Sequence, residues 1–589
     1  MTAFQFYTQE KTLQEENLKK ANSKLFLSSM LRLAVFLLTV VGIYFYFSEW
    51  KLAVTIAVLG FGIFLFLVSR HSDLKYNRDK IQELLNINET ELKVLKRNFY
   101  DLPDGSEYED HSHPFSQDID LFGKKSFFQY LNRTALKDGR DKLAAILTEN
   151  SITDIPNKQK AIQELEKKVK WRQEFSAVAS LVKTKISSEE VLKLIQQHQA
   201  FVPRSIKWGS WIFTAISLVL IAAYFTDFLN GWILFGWYLL GWGITGRYIK
   251  KINLLSEDID HVQETFQQYY KLLELIEKTE FSSEILKAER AKILYKDQMA
   301  SATLKEFSKI IDAFDQRSNQ IFIAIGNGFM LWDLRQSLRL ENWMKNHSQN
   351  VQAWFEVIEF IDAYNSLGNF SFNHEAYVFP EIISESPIIK ASNAVHPLLN
   401  PEKAVTNDFQ INNEQFFIIT GANMAGKSTF LRTVSLQIVM ANVGLPVCAT
   451  SCEYTPIKLI TSMRTTDSLS EDESYFFSEL KRLQFIVQKI KTDKYFIILD
   501  EILKGTNSTD KAIGSKKFIQ KLVKSHSTGI IATHDLSLCE VAKELPQVEN
   551  HYFDAEIINN ELNFDYRFKD GICRNMNASF LLKKMEIVD

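Results

Sequence analysis

Phe416-Phe417-Ile418-Ile419-Thr420-Gly421-Ala422-Asn423-Met424-Ala425-Gly426-Lys427-Ser428-Thr429 decides the fold of the C-terminal part of this 589-residue chain. The apolar run at its start has the length of a buried strand. It enters Gly421-x-x-x-x-Gly426-Lys427-Ser428, and residues 429–440 then read as a helix. Strand, glycine-bounded loop and helix in that order are the context of a phosphate-binding loop. The glycines let backbone amides turn toward phosphate oxygens, and the helix N-terminus adds a positive field. ATP is therefore the expected ligand of Gly421, Ala422, Asn423, Met424, Ala425, Gly426, Lys427, Ser428 and Thr429. Lys427 is expected on the β- and γ-phosphates, and Ser428 on Mg²⁺.

Two more apolar runs complete the set. Tyr495-Phe496-Ile497-Ile498-Leu499 leads into Asp500-Glu501. Asp500 is the second expected Mg²⁺ ligand, and Glu501 the general base for the attacking water. Gly529-Ile530-Ile531-Ala532-Thr533 delivers His534 to the same edge of a sheet, where it can hydrogen-bond the γ-phosphate. An exposed acidic strand end is the bland reading of Asp500-Glu501. The apolar lead-in and the spacing from the loop favour the catalytic one. The expected catalytic residues are thus Glu501, His534 and Lys427.

Thr420-Gly421-Ala422-Asn423-Met424-Ala425-Gly426-Lys427-Ser428-Thr429-Phe430-Leu431-Arg432 resembles the phosphate loop of the MutS family of DNA mismatch-recognition ATPases. Asp500-Glu501 with Gly505-Thr506-Asn507-Ser508-Thr509-Asp510 resembles that family's second nucleotide motif. Ser474-Tyr475-Phe476-Phe477-Ser478-Glu479 is similar to its signature segment, which opens a helix at the dimer interface. The resemblance implies a homodimer in which Ser474 reaches, in trans, the nucleotide of the partner. Asp408 and Ala394-Val395-His396-Pro397-Leu398-Leu399 fit the strand-rich lead-in. Upstream, Asp118-Ile119-Asp120-Leu121-Phe122-Gly123, Asn132-Arg133-Thr134 and Gly139-Arg140 resemble the start of the family's helical core. The departures are as specific. Leu503-Lys504 stands where the family has a small residue and an Arg, and Ala422 where Pro is common. The mismatch-reading domain with its Phe-x-Glu wedge is expected to be missing, Phe477-Ser478-Glu479 matching that tripeptide only by accident. The C-terminal dimerisation extension is expected to be absent or short. The resemblance makes DNA a further candidate partner.

The N-terminal half carries a different signal. Residues 25–47 are almost wholly apolar, with Arg32 the only charge, and residues 52–68 carry no charge, with a short turn between them. A similar pair of limbs returns at 211–225 and 231–245, with Trp208, Trp211, Trp232, Trp237, Trp242 and Tyr248 at its ends and faces. Each run approaches the roughly 20 residues that span a hydrocarbon core, and the tryptophans resemble an interfacial belt. The second limb of the second pair is short and rich in Gly. Lys19, Lys20, Lys24, Arg70, Lys75, Arg78, Lys80, Arg204, Lys207, Arg247, Lys250 and Lys251 flank the runs on one side, whereas the turns offer Lys51 alone. That asymmetry predicts a multi-pass cell-membrane protein with its N-terminus and ATPase in the cytoplasm. Two hairpins buried in a soluble core are the alternative. They fit less well, because a run without a polar face is not how a surface helix reads.

The expected fold class is mixed. An α-helical core and lever region carries two transmembrane helical hairpins, and a C-terminal α/β P-loop domain of the ABC class follows. The expected divisions are 1–24, an N-terminal helix; 25–70, a hairpin; 71–117, helix and linker; 118–203, helical core; 204–250, a second hairpin; 251–388, lever and core; and 389–589, the ATPase. Long helical patterns run through 254–314 and 339–367, and Leu367-Gly368-Asn369 is expected to end them. Lys plus Arg number 68 against 71 Asp plus Glu, so no global basic footprint favours non-specific nucleic-acid binding. The four cysteines form no CxxC and read as reduced thiols. An ABC-type transport ATPase fused to membrane helices is the second reading of the whole. The thin set of limbs, which carry almost no ionisable residue apart from Arg32 and Asp227 near their ends, and the missing Leu-Ser-Gly-Gly signature weigh against it. A scaffold that binds nucleotide without hydrolysis is the third, and Glu501 speaks against that.

Overall fold

A computed structural model describes residues 1–182, 188–260, 262–295, 298–464, 475–504, 506–558, 561–573 and 587. The chain forms two compact units. One holds residues 1–92, 134–141 and 169–363; the other holds 93–133, 142–168 and 364–589.

Among its described residues, the first unit is helical apart from one antiparallel pair of two-residue strands, Leu294–Tyr295 and Gln298–Met299. Helices Ala3–Phe45 and Trp50–Leu95 form a long antiparallel pair. Both run unbroken through the expected divisions at 24/25 and 70/71, because nothing in those stretches stops a helix: neither Gly nor Pro interrupts the change from charged to apolar residues. Thr2 and Gln5 form a capping box at the start. Small residues let the apolar arms approach: a Cβ on Gly60 would lie 2.2 Å from Thr39 Oγ1, and one on Gly42 3.1 Å from Ile56. Phe26, Leu38, Phe61 and Phe66 face outward and are more than half exposed. Such a continuous exposed apolar surface is foreign to a water-soluble monomer.

The second apolar pair is Ile206–Phe225 and Gly231–Gly246, as the sequence predicts. Among the described residues, three helices are long and apolar enough to cross a membrane: Ala3–Phe45, Trp50–Leu95 and Ile206–Phe225. A further apolar helix, Gln320–Met330, lies between the expected helical stretches 254–314 and 339–367. Asn319 caps it by accepting the amides of Ile321 and Phe322, and Leu331 ends it at φ 50°. It packs on the second pair: the Trp242 indole donates to Ala324 O (3.3 Å), and Tyr238 lies over Gly328. Elsewhere in this unit, Asp362 on helix Trp332–Asn373 accepts the amides of Ala135 (3.1 Å) and Leu136 (2.9 Å) at the start of helix Lys137–Thr148. A Cβ on Gly139 would strike that carboxylate, which accounts for the glycine of Gly139-Arg140. Burial pushes the Asp362 carboxyl up to about 7.

The long helix ends at Asn373, not at the expected Leu367-Gly368-Asn369. Gly368 is a packing glycine, since its Cβ would come within 2.9 Å of Leu165. Residues 126–147, within the expected helical core, do not form one continuous helix. Phe127–Leu131 and Lys137–Thr148 are separate, and Asn132-Arg133-Thr134 spans the gap with the Arg133 amide donated to Ser366 Oγ (2.8 Å).

The second unit is built on a six-stranded sheet in the order Lys569–Asp570, Val548–Phe553, Phe416–Gly421, Thr528–Ala532, Tyr495–Asp500, Lys458–Ser462. All neighbours are parallel except the first pair. The central strands are nearly all buried, as continuous apolar runs in a parallel sheet should be. A four-stranded sheet in the order Glu381–Ile382, Ser451–Tyr454, Ile389–Ala394, Asn407–Ile411 precedes it, and there Asp408 accepts the Asn393 amide (2.7 Å) at a bulge. The four cysteines are free, and all but Cys448 are buried.

Candidate nucleotide site

The sheet order explains which side chains meet. Strand Thr528–Ala532 lies between Phe416–Gly421 and Tyr495–Asp500. Its C-terminal end therefore delivers His534 between the phosphate loop and Asp500-Glu501. Open parallel sheets place ligands at this edge.

The loop requires its glycines for two reasons. Gly421 (φ 153°) and Gly426 (φ 109°) adopt positive φ, and a Cβ on Gly421 would lie 2.5 Å from Phe553 O. Gly426 opens helix Lys427–Val443, and Gly444 closes it in a left-handed cap (φ 90°). Lys427 is buried; its ammonium donates to Gly421 O (2.7 Å) and Ala422 O (3.0 Å). Burial lowers its pKa, which the nearby Asp500 and Glu501 carboxylates oppose. Ser428 Oγ donates to Asp500 Oδ2 (2.7 Å).

Glu501 and His534 are joined. His534 Nε2 is 3.0 Å from Glu501 Oε1 and 3.3 Å from Lys427 Nζ. One nitrogen cannot serve both at once: carrying a proton it donates to the carboxylate, and without one it accepts from the ammonium. Burial, then Lys427, depresses the His534 pKa, which the Glu501 and Asp500 carboxylates oppose. Lys504 Nζ lies 3.6 Å from the other Glu501 oxygen.

These residues line one cavity of about 720 Å³. Every expected site residue among those described lies at or beside it; Ser474 lies outside the described residues. Helix Tyr475–Lys489 does begin where the signature segment predicts. Asn507, from the second nucleotide motif, caps helix Ser508–Lys524 by accepting the Asp510 amide (2.9 Å).

The far wall of the cavity, to which His396, Asn400, Lys403 and Tyr566 contribute, carries no site role in the sequence motifs. The loop joining two strands after Ala394 is the signal that could point to it. Lys504 stands out in the sequence only as a departure from the family pattern. Arg432 and Glu479 sit within motifs that assign them no task.

An Mg²⁺ ion fits these residues. A hydroxyl and a carboxylate already meet at Ser428–Asp500. Mg²⁺ takes oxygen ligands and is bound by one or two carboxylates together with substrate phosphates and water.

The family model described as MutS domain V matches residues 417–585. The chain is 28% identical over 221 residues to DNA mismatch repair protein MSH4 of Arabidopsis thaliana, covering 36% of this chain and 27% of that one. It is 29% identical over 267 residues to DNA mismatch repair protein MutS of Staphylococcus haemolyticus, covering 44% and 30%. It is 30% identical over 220 residues to MutS protein homolog 4 of Homo sapiens, covering 36% and 23%. The chain thus spans less than a third of the length of the curated relatives it matches. Residues 417–585, whose phosphate loop, Asp500-Glu501 pair and His534 share one cavity, thus match domain V of the MutS family.

Proposed function

We propose that this protein is a membrane-anchored ATPase that binds and hydrolyses ATP as a homodimer and uses the cycle to move its helical region. The convergence of Lys427, Ser428, Asp500, Glu501 and His534 on one cavity carries the reading. The loop amides and Lys427 hold the phosphates, and Lys427 exchanges its carbonyl partners for phosphate oxygens. Ser428 and Asp500 hold Mg²⁺, which neutralises phosphate charge when bound. Glu501 takes the proton of the attacking water. When Lys427 turns to phosphate, His534 Nε2 is freed of it, and a protonated Nε2 donates to Glu501 and orients its carboxylate. Ser474 completes the partner's site.

The exposed apolar surfaces of the Ala3–Phe45 and Trp50–Leu95 pair and of Ile206–Phe225 support anchoring in the cell membrane, with the ATPase on the cytoplasmic side. The names of the relatives make duplex DNA the macromolecule to test as the object of the motion.

Steady-state hydrolysis by the detergent-solubilised full chain tests the central claim. Wild type is expected to turn over Mg·ATP, and Glu501→Gln to bind ATP with turnover reduced at least about a hundredfold. Equal absence of turnover in both would sink the enzyme reading. Release from membranes by carbonate without detergent would sink the anchor. DNA binding that is absent, or insensitive to salt, on matched, mismatched and branched duplexes would remove DNA as the partner.

A further inference from the structure

The turn that carries Glu501 is conformationally unusual. Glu501 (φ 50°) and Leu503 (φ 59°) both occupy the left-handed region, although neither is glycine. Branched side chains avoid that region. Leu503 stays because its side chain belongs to the core: it is 8% exposed, beside Leu483, Ile502 and Ile519. Its methyl group also occupies the space left by Gly514, where a Cβ would lie 2.6 Å from Leu503 Cδ1. Packing alone does not fix the backbone at positive φ.

Glu479 supplies that restraint. It sits on helix Tyr475–Lys489 and is 2% exposed. Its two carboxylate oxygens accept the amides of Leu503 (2.5 Å) and Lys504 (3.1 Å), one each. A charged acceptor against two successive amides is a strong and directional clamp. The Glu501 amide donates to Ala532 O (2.9 Å), so the turn is held on both sides of the catalytic carboxylate.

We propose that Glu479 is a positioning residue for hydrolysis: it holds the Glu501–Lys504 turn in its left-handed form and thereby aims the Glu501 carboxylate into the cavity. This rests on the ATPase reading above. Without Glu479, Leu503 relaxes toward negative φ, and Glu501 swings away from the water it should activate. ATP binding, made by the phosphate loop, is left in place.

The test is a mutant cycle in the full-length protein. Glu479→Ala is expected to lower kcat at least tenfold, with ATP affinity within twofold of wild type. Leu503→Gly tolerates positive φ unaided, so adding it to Glu479→Ala is expected to recover several-fold of kcat even though it removes core packing. A merely structural Glu479 would give no such recovery, because the second change can only subtract stability. Glu479→Gln keeps one oxygen and is expected to lose several-fold; it decides the matter if Glu479→Ala does not fold. Wild-type kcat in a folded Glu479 variant, a loss of kcat matched by lost ATP affinity, or no recovery with Leu503→Gly would each overturn the proposal. Absence of turnover in wild type itself would instead overturn the ATPase reading.

Discussion

Asp118 and Thr461 are 343 positions apart in the chain, yet the Thr461 hydroxyl donates to Asp118 Oδ2 at 2.5 Å. The same carboxylate accepts the amides of Met463 (3.1 Å) and Arg464 (2.8 Å). Asp120 adds ion pairs to Arg464 (2.6 Å) and to Arg432 on the phosphate-loop helix (3.2 Å). One short loop thus grips both helix Lys427–Val443 and the chain just beyond strand Lys458–Ser462. Asp118→Ala is expected to cost about 2–4 kcal/mol, because it strands a buried amide, a part-buried amide and a buried hydroxyl. Asp120→Ala, at a half-exposed pair, should cost less than about 1 kcal/mol. All ten tryptophans lie at or before Trp354, in the other unit. Hydrogen exchange of residues 389–464, rather than fluorescence, is the measurement.

Acid should loosen the same unit. His374 donates from Nδ1 to Phe370 O (2.7 Å) and accepts the Tyr130 hydroxyl at Nε2 (2.7 Å), a pattern only a neutral ring can make. Burial drives its pKa down to about 4, and burial with the Arg432 charge does the same to His396. The unfolded chain takes up these protons near pH 6.5 and the folded chain only near 4. Stability is therefore full above about 6.5 and falls as pH drops toward 4, by roughly 1.4 kcal/mol per pH unit for each ring. His374→Gln is expected to halve that slope between pH 6.5 and 4.5, read by hydrogen exchange or protease resistance of residues 364–464. An unchanged slope would show that the ring is not buried neutral.

Local pattern makes the centre of the site legible in the sequence. The phosphate loop, Asp500-Glu501 and His534 each follow a short apolar strand, and a parallel sheet brings the strand ends together. The Asp118–Thr461 bond has no local signature, since it depends on how distant segments pack. Glu479 is equally silent, because its task depends on the φ of Leu503. Gly368 misleads for the same reason. Within a helix it resembles a stop, and only Leu165 against it shows that it is there for close approach. Helix Gln320–Met330 is hidden by its shortness, a span of apolar residues that is as easily read as a buried strand.

Gly421 offers a sharp test of the phosphate loop. Its φ of 153° and the 2.5 Å that would separate a Cβ at this position from Phe553 O leave no room for alanine, and the obstacle is backbone in the neighbouring strand. Gly421→Ala should push strands Phe416–Gly421 and Val548–Phe553 apart at their ends. ATP affinity is expected to fall at least about tenfold, or about 1.4 kcal/mol. Gly426→Ala also strains φ (109°), yet it meets only the Tyr566 ring edge at 3.2 Å, which can shift. Its loss should be smaller, and equilibrium binding of a fluorescent ATP analogue ranks the two.

Helices Gly231–Gly246 and Gln320–Met330 touch backbone to backbone, since a Cβ on Gly241 would lie 2.3 Å from Gly328 O. Such contacts depend on small residues, because apolar surroundings supply little hydrophobic drive between helices. Gly241→Leu must force the two apart. Gly236, on the same helix, has nothing within 4 Å of its Cβ, so Gly236→Leu adds the same bulk at no steric cost. Arg317 precedes the displaced helix and is held 3.4 Å from the buried Asp333. Loss of the helix contact should free it. Trypsin is therefore expected to cleave after Arg317 several times faster in Gly241→Leu than in wild type, with Gly236→Leu unchanged, all in the same detergent. Equal cleavage in both variants would mean that this backbone contact does not hold Gln320–Met330 in place.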